Sequence, residues 1–273
     1  MFINKDTKLC ISIAERPGNF GATVLGAGFK ALNLDFIYKP LKVSSRQLEG
    51  AIGGIRSLGI RGCGVSMPHK INVIKYLDKI DEYAKKIGAV NTIVNDNGVL
   101  FGYNTDFYGA KTALQKYYDV KNKKIVIVGA GGAARAIIMA LQVCGAKDIF
   151  LTNRSDDHGR QLAKEFNLLY LDYAHRNEVG GDLLINATPV GMSSENKELI
   201  IDEASIKLYK AVMDVVVSAS PTELIKAAKK FGLVVVSGLD MSLNQAAEQF
   251  KLYTGQEAPL EAMADGARLF YKN

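Results

Sequence analysis

From Lys124 the chain reads K-I-V-I-V, then G-A-G-G-A-A, then an alanine-rich apolar run to Val143, then D-I-F-L-T from Asp148. An unbroken apolar run such as I-V-I-V is the signature of a strand covered on both faces, as in a parallel sheet. Two such strands close in sequence need a crossover between them, and the Ala133–Val143 stretch has helical composition. This strand–turn–helix–strand unit, with Gly145 as its C-terminal stop, constrains the architecture more than any other segment. Within it, Gly129 permits the tight turn, Gly131 lets backbone approach a pyrophosphate, and Ala134 takes the small position where helix meets strand. Ala130, Gly132 and Ala133 complete a turn whose N–H groups and helix dipole favour an anion. Dinucleotide binding is the expectation.

The same alternation continues in both directions. Strands are expected at Leu9–Ala14, Asp35–Tyr38, Arg61–Val65, Leu168–Leu171, Leu183–Asn186, Ala211–Val216 and Leu233–Val236. Helices are expected at Gly21–Ala31, Ser45–Ser57, Thr222–Lys230 and Met241–Tyr253. T-I-V-N-D-N-G-V-L-F-G-Y reads as a hairpin turning at Asp96–Gly98. The predicted fold class is α/β with two α/β lobes. The C-terminal-side lobe is a Rossmann-type doubly wound parallel sheet over 105–239. The N-terminal lobe is a mixed, mostly parallel sheet over 1–104, completed by helices in 240–273.

A length of 273 residues suits two lobes. The +6 charge is dispersed rather than gathered in a basic tract, so it suits a small anionic ligand and argues against nucleic acid. No apolar run approaches membrane-spanning length. Cys10, Cys63 and Cys144 make neither a disulfide framework nor a metal pattern, so no metal is expected and a reducing cytoplasm is. The expected assembly is a monomer or homodimer.

The second strand of the unit ends T-N-R-S, with no acid at its tip to hold a ribose 2′-hydroxyl. Arg154 there can pair with a 2′-phosphate, and Asn153 and Ser155 can donate to it, which selects NADP over NAD.

Upstream lie G-C-G-V-S-M-P-H-K, G-A-V-N-T and G-Y-N-T-D, which bring Lys70, Asn91 and Asp106 into glycine-flanked surroundings. Ser66 and Pro68 carry helix-start chemistry, and Ile71, Val73, Ile74 and Leu77 give a helical stripe. Lys70 then falls in a first helical turn, where the dipole disfavours its positive charge and suits proton exchange. Asp106 can hold the lysine and the reacting hydroxyl. His69 reads equally as a solvent-facing or a functional residue; His158 and His175 read as surface.

These motifs, with N-A-T-P-V-G-M from Asn186 and G-L-D-M-S-L-N-Q-A-A from Gly238, resemble the shikimate dehydrogenase family over nearly the whole chain. The resemblance implies interconversion of 3-dehydroshikimate and shikimate with NADP(H). It implies Lys70 as the proton-transfer residue, Asp106 as its partner, and Asn91 and Gln245 on other ring hydroxyls. Thr188, Val215 and Gly238 would line the nicotinamide side. The match departs at the substrate's carboxylate end. The family pattern S-x-S-P, whose serines hold the carboxylate, is Asn19-Phe20-Gly21-Ala22 here. The asparagine and threonine of G-x-N-V-T are Gly64 and Ser66, and the tyrosine after V-x-D-x-V is Val217. Asn19, Gly21 and Ser66 are thus the candidate carboxylate-end positions of a divergent, shikimate dehydrogenase-like member. The alternatives are a non-catalytic NADP sensor, or a dehydrogenase for quinate or an amino-shikimate.

Overall fold

The computed structural model describes residues 3–192, 198–218 and 220–270. The chain divides into two compact units: residues up to Tyr108 together with those from Gln245 onward, and Gly109–Asn244. Both divisions fall inside helices, α4 (Thr105–Tyr117) and α9 (Gly238–Thr254).

The first unit is built on a six-stranded sheet of order β2-β1-β3-β5-β6-β4. Its strands are β1 (Lys8–Ala14), β2 (Phe36–Lys42), β3 (Gly62–Val65), β4 (Lys79–Ile80), β5 (Thr92–Asp96) and β6 (Val99–Tyr103). β1 pairs in parallel with β2 and β3, β4 in parallel with β6, while β5 runs antiparallel to β3 and β6. The sheet is therefore mixed and mostly parallel. The β5–β6 hairpin turns through Asn97 and Gly98, both with positive φ, as its Asn-Gly pair demands.

One face of this sheet buries Ile11, Ile13, Val65, Ile93 and Leu100 against Ile52 and Ile55 of α2 (Leu48–Ser57). α1 (Phe20–Ala31) packs closely on α10 (Leu260–Phe270): a Cβ on Gly266 would stand 2.7 Å from the Thr23 carbonyl oxygen.

The second unit has six parallel strands in the order β12-β11-β10-β7-β8-β9. They are β7 (Lys124–Val128), β8 (Asp148–Thr152), β9 (Leu169–Tyr170), β10 (Leu183–Asn186), β11 (Ala211–Asp214) and β12 (Val234–Ser237). The order steps outward from β7 in both directions, which is the doubly wound arrangement. Its helices include α5 (Gly132–Val143), α6 (Asp156–Glu165) and α8 (Glu223–Lys230). Val126, Leu184 and Val212 from central strands pack with Leu224, Ile225 and Ala228 of α8. Among the described residues no helix is long and apolar enough to cross a membrane.

One expected element is absent. The segment after Pro68 forms not an α-helix but a turn followed by a five-residue 3-10 helix, Asn72–Tyr76. Lys70 precedes it and has no helical turn beneath it. The apolar stripe is real only in part: Val73 is buried and Ile71 is exposed.

Candidate active site

Topology gathers the first unit's candidate residues. Parallel β1 and β3 end at one edge of the sheet, and the chain leaves them toward Asn19 and Ser66–Lys70. Antiparallel β5 starts at that edge, just after Asn91, and β6 returns to it before Asp106. Residues far apart in sequence therefore meet at the edge where α/β sheets bind ligands.

Lys70 Nζ and the Asp106 carboxylate form an ion pair there, with side chains 16% and 11% exposed. Each partner is fixed through its backbone. The Lys70 carbonyl accepts from the Val90 N–H at 2.8 Å. His69 is buried, its Nε2 2.8 Å from the Val43 carbonyl oxygen, and its carbonyl accepts from Val73 N–H. His69 is thus neither solvent-facing nor directed at the Lys70 amine; it anchors the loop that carries the lysine. Asp106 sits in the first turn of α4, where the dipole favours an acid. Asn104 caps that turn: its Oδ1 accepts from Phe107 N–H at 3.2 Å and its Nδ2 donates to the Ala89 carbonyl at 2.8 Å.

A polar network continues from α4. Asn91 Oδ1 accepts from Thr105 N–H at 2.7 Å, and Asn91 Nδ2 lies 3.0 Å from Thr105 Oγ1 and 3.5 Å from Gln245 Oε1. Thr105 Oγ1 is 3.1 Å from Gln245 Oε1. Gln249, one turn along α9, donates through Nε2 to Thr92 Oγ1 at 2.9 Å. Asn91 and Gln245 are therefore neighbours, held by Thr92, Thr105 and Gln249, which the sequence reading did not single out. The i, i+4 spacing of the two glutamines was the signal available for Gln249. Asn19 occupies the N-cap position of α1 without a side-chain cap bond, and it and Ser66 are exposed. Gly21 lies in the first turn of α1.

In the second unit the candidates likewise cluster at the C-terminal edge of the strands. Gly129 follows β7 with φ +116°, and a Cβ there would stand 2.8 Å from the Ala187 carbonyl oxygen. Only glycine satisfies both demands. Gly131 is the N-cap of α5, and a Cβ on it would meet nothing within 4 Å. The turn from Ala130 through Gly132 and Ala133 thus leads into an open cradle at a helix N-terminus, while Ala134 is buried against the sheet. These features suit the pyrophosphate of a dinucleotide.

At the tip of β8 Arg154 is exposed and no acid occupies its position. Asn153 Nδ2 donates to the Ser155 carbonyl at 2.8 Å, which braces the loop, and Ser155 begins α6. Thr188 follows β10; its N–H and hydroxyl both donate to Asn186 Oδ1, at 3.0 and 2.6 Å. Asn186 Nδ2 in turn donates to buried Asp214 at 2.9 Å, and Thr222 Oγ1 donates to the same carboxylate. Burial pushes the Asp214 carboxyl up despite three hydrogen bonds to it. This Asp214 anchor was also missed, because a lone strand-end aspartate carries no distinctive spacing. The Val215 N–H donates to the Asn186 carbonyl at 3.1 Å. Gly238 opens α9, where a Cβ would stand 2.4 Å from the Val216 carbonyl oxygen, so close packing explains that glycine. Among the described residues no three His, Cys, Asp or Glu side chains come together to hold a metal ion.

A doubly wound sheet with an open glycine turn, in a chain whose other unit holds a paired lysine and aspartate, defines a dinucleotide-dependent oxidoreductase. Family models narrow the class. Residues 22–93 match the shikimate dehydrogenase substrate binding domain, 111–217 match shikimate / quinate 5-dehydrogenase, and 238–265 match the shikimate 5′-dehydrogenase C-terminal domain. The chain is 39% identical to a shikimate dehydrogenase-like protein of Haemophilus influenzae, over 97% of each chain. It is 39% identical to a shikimate dehydrogenase (NADP(+)) of Methanobrevibacter smithii, over 96% of each. A solved shikimate dehydrogenase in complex with NADP+ superimposes with a TM-score of 0.90 at 36% identity, covering 97% of this chain and 96% of that one. The chain belongs to the shikimate dehydrogenase family.

Proposed function

We propose that the chain is an NADP-dependent oxidoreductase that moves a hydride between nicotinamide and a ring hydroxyl or ketone of shikimate, 3-dehydroshikimate or a close analogue. The observation that carries this reading is the Lys70–Asp106 ion pair beside the Asn91–Thr105–Gln245 network. NADP(H) supplies the hydride donor or acceptor. Everything else falls to the chain's own side chains.

An ammonium paired to a carboxylate is a proton donor positioned for a developing alkoxide. In the reducing direction the Lys70 ammonium gives its proton to the ketone oxygen as hydride reaches the carbon beneath it. Oxidation retraces the path, with the hydroxyl proton passing to Nζ. Asp106 holds the lysine and accepts from the same hydroxyl. Such proton transfer is worth about 10²–10⁴ in rate. Asn91 and Gln245 present amides to neighbouring ring hydroxyls, and Asn19, Gly21 and Ser66 form the carboxylate end.

Gly129–Ala134 hold the pyrophosphate, Arg154 with Asn153 and Ser155 the 2′-phosphate, and Thr188, Val215 and Gly238 the nicotinamide side. The enzyme works as a monomer or homodimer in a reducing cytoplasm, where Cys10, Cys63 and Cys144 stay thiols.

The test is a steady-state screen of NADPH formation from shikimate, quinate and amino-shikimates. Turnover of at least one ring acid with NADP+ is expected. NADP+ binding with no turnover of any of them would replace this reading with that of a non-catalytic sensor.

A further inference from the structure

Gly21 and Gly64 lie on different elements of the first unit, and neither has a left-handed backbone that would call for glycine. Both lie against one atom instead. A Cβ on Gly64 would stand 2.9 Å from the Tyr38 hydroxyl oxygen, and a Cβ on Gly21 would stand 3.1 Å from the same oxygen. The phenol hydroxyl thus fills the space that two side chains would otherwise take. Glycine weakens both a helix and a strand interior, so its use at both positions points to a required hydroxyl position.

The surroundings of that oxygen are polar. Ser12 lies beside Tyr38, and its Cβ lies 3.4 Å from the Cβ position on Gly64. Ser12 belongs to β1, which is flanked by β2 and β3, and its neighbours Ile11 and Ile13 are buried. Ser12 itself is half-buried, as is Tyr38. The face of the sheet that carries Ser12 also carries Gly64, opposite Ser12, and Tyr38, opposite Cys10. Gln249 Nε2 lies 3.5 Å from the Gly64 Cβ position and donates to Thr92, whose hydroxyl donates to Asn91. A polar row therefore runs from Tyr38 and Ser12 across the glycine gap to the substrate-side amide of Asn91.

We propose that Tyr38 is a specificity-determining residue. Its hydroxyl, set in the space left open by Gly21 and Gly64, donates to the carboxylate of the substrate. This rests on the dehydrogenase reading above and deepens it: the carboxylate end is rebuilt around one phenol from β2, with Asn19 two residues before Gly21. Burial pushes the Tyr38 phenol up, so it remains a donor through the neutral range.

The test compares shikimate with its methyl ester in the unaltered protein, Tyr38→Phe, Gly64→Ala and the double variant. Tyr38→Phe should raise KM and the calorimetric Kd for shikimate about tenfold or more, leave kcat nearly unchanged, and leave the ester unaffected. Gly64→Ala displaces the hydroxyl and should act in the same direction. The double variant should be no worse than either single one, since the methyl group then has no hydroxyl to displace. Equal losses for acid and ester, or no loss for either, overturn the proposal while the dehydrogenase reading stands. If the unaltered protein turns over neither ligand, binding decides. Acid binding weakened by Tyr38→Phe upholds the assignment, whereas absent or unaltered acid binding overturns it.

Discussion

The two units position their functional groups by different means. In the second, the cradle is made of backbone: a left-handed Gly129, an N-cap glycine and the first turn of α5. In the first, the site is made of side chains that hold one another, from Asn104 and Asn91 to Thr105, Gln245 and Gln249. A backbone cradle needs small residues at fixed spacing and tolerates little else. A side-chain network depends on residues brought together from the starts of β5 and α4 and from α9, and each member can be replaced at a graded cost.

That contrast is open to direct attack. The largest effect belongs to the network: Asp106→Ala frees Lys70 and should lower kcat about a hundredfold while leaving NADP+ affinity unchanged. A matching loss of cofactor affinity would break the separation of roles. Next comes the cradle, where Gly129→Val adds a Cβ 2.8 Å from the Ala187 carbonyl oxygen at a φ of +116°. Left-handed strain of about 1–3 kcal/mol should lower the melting midpoint and weaken NADP+ binding more than tenfold, with shikimate affinity by calorimetry kept.

Arg154→Ala should weaken NADP+ about tenfold and NAD+ hardly at all, read from parallel titrations. Equal loss for both would remove the 2′-phosphate role. Smallest is Asn104→Ala, which deletes the cap of α4 and should cost about 1 kcal/mol in denaturant unfolding, with a few-fold fall in kcat.

The same contrast explains what could be read from the chain. The β7–α5–β8 unit was legible almost to the residue, because K-I-V-I-V and G-A-G-G-A-A express local rules of strand, turn and helix. The β5–β6 hairpin was legible for the same reason, through Asn97–Gly98. Lys70, Asn91 and Asp106 stood out by motif, but their supports did not. His69 is buried by a contact with Val43, 26 residues away, and no local pattern announces such a contact.

The segment after Pro68 has helical spacing, yet tertiary packing buries Val73 fully and Ile74 and Leu77 only in part, and it leaves Ile71 in solvent. α6 went unread because its sequence is mostly polar and only Gly159, Leu162 and Ala163 are buried. Tyr38 looked like an ordinary strand residue; its importance lies in what two glycines leave open around it.

We propose that Lys70 moves the proton in an NADP-linked reaction at the first unit's site. The most direct measurement is turnover of shikimate with NADP+ by the unaltered protein and by Lys70→Ala, beside NADP+ titration of both. A fall in kcat of about 10²–10⁴ with unchanged NADP+ affinity is expected. Equal rates in the two proteins would contradict it.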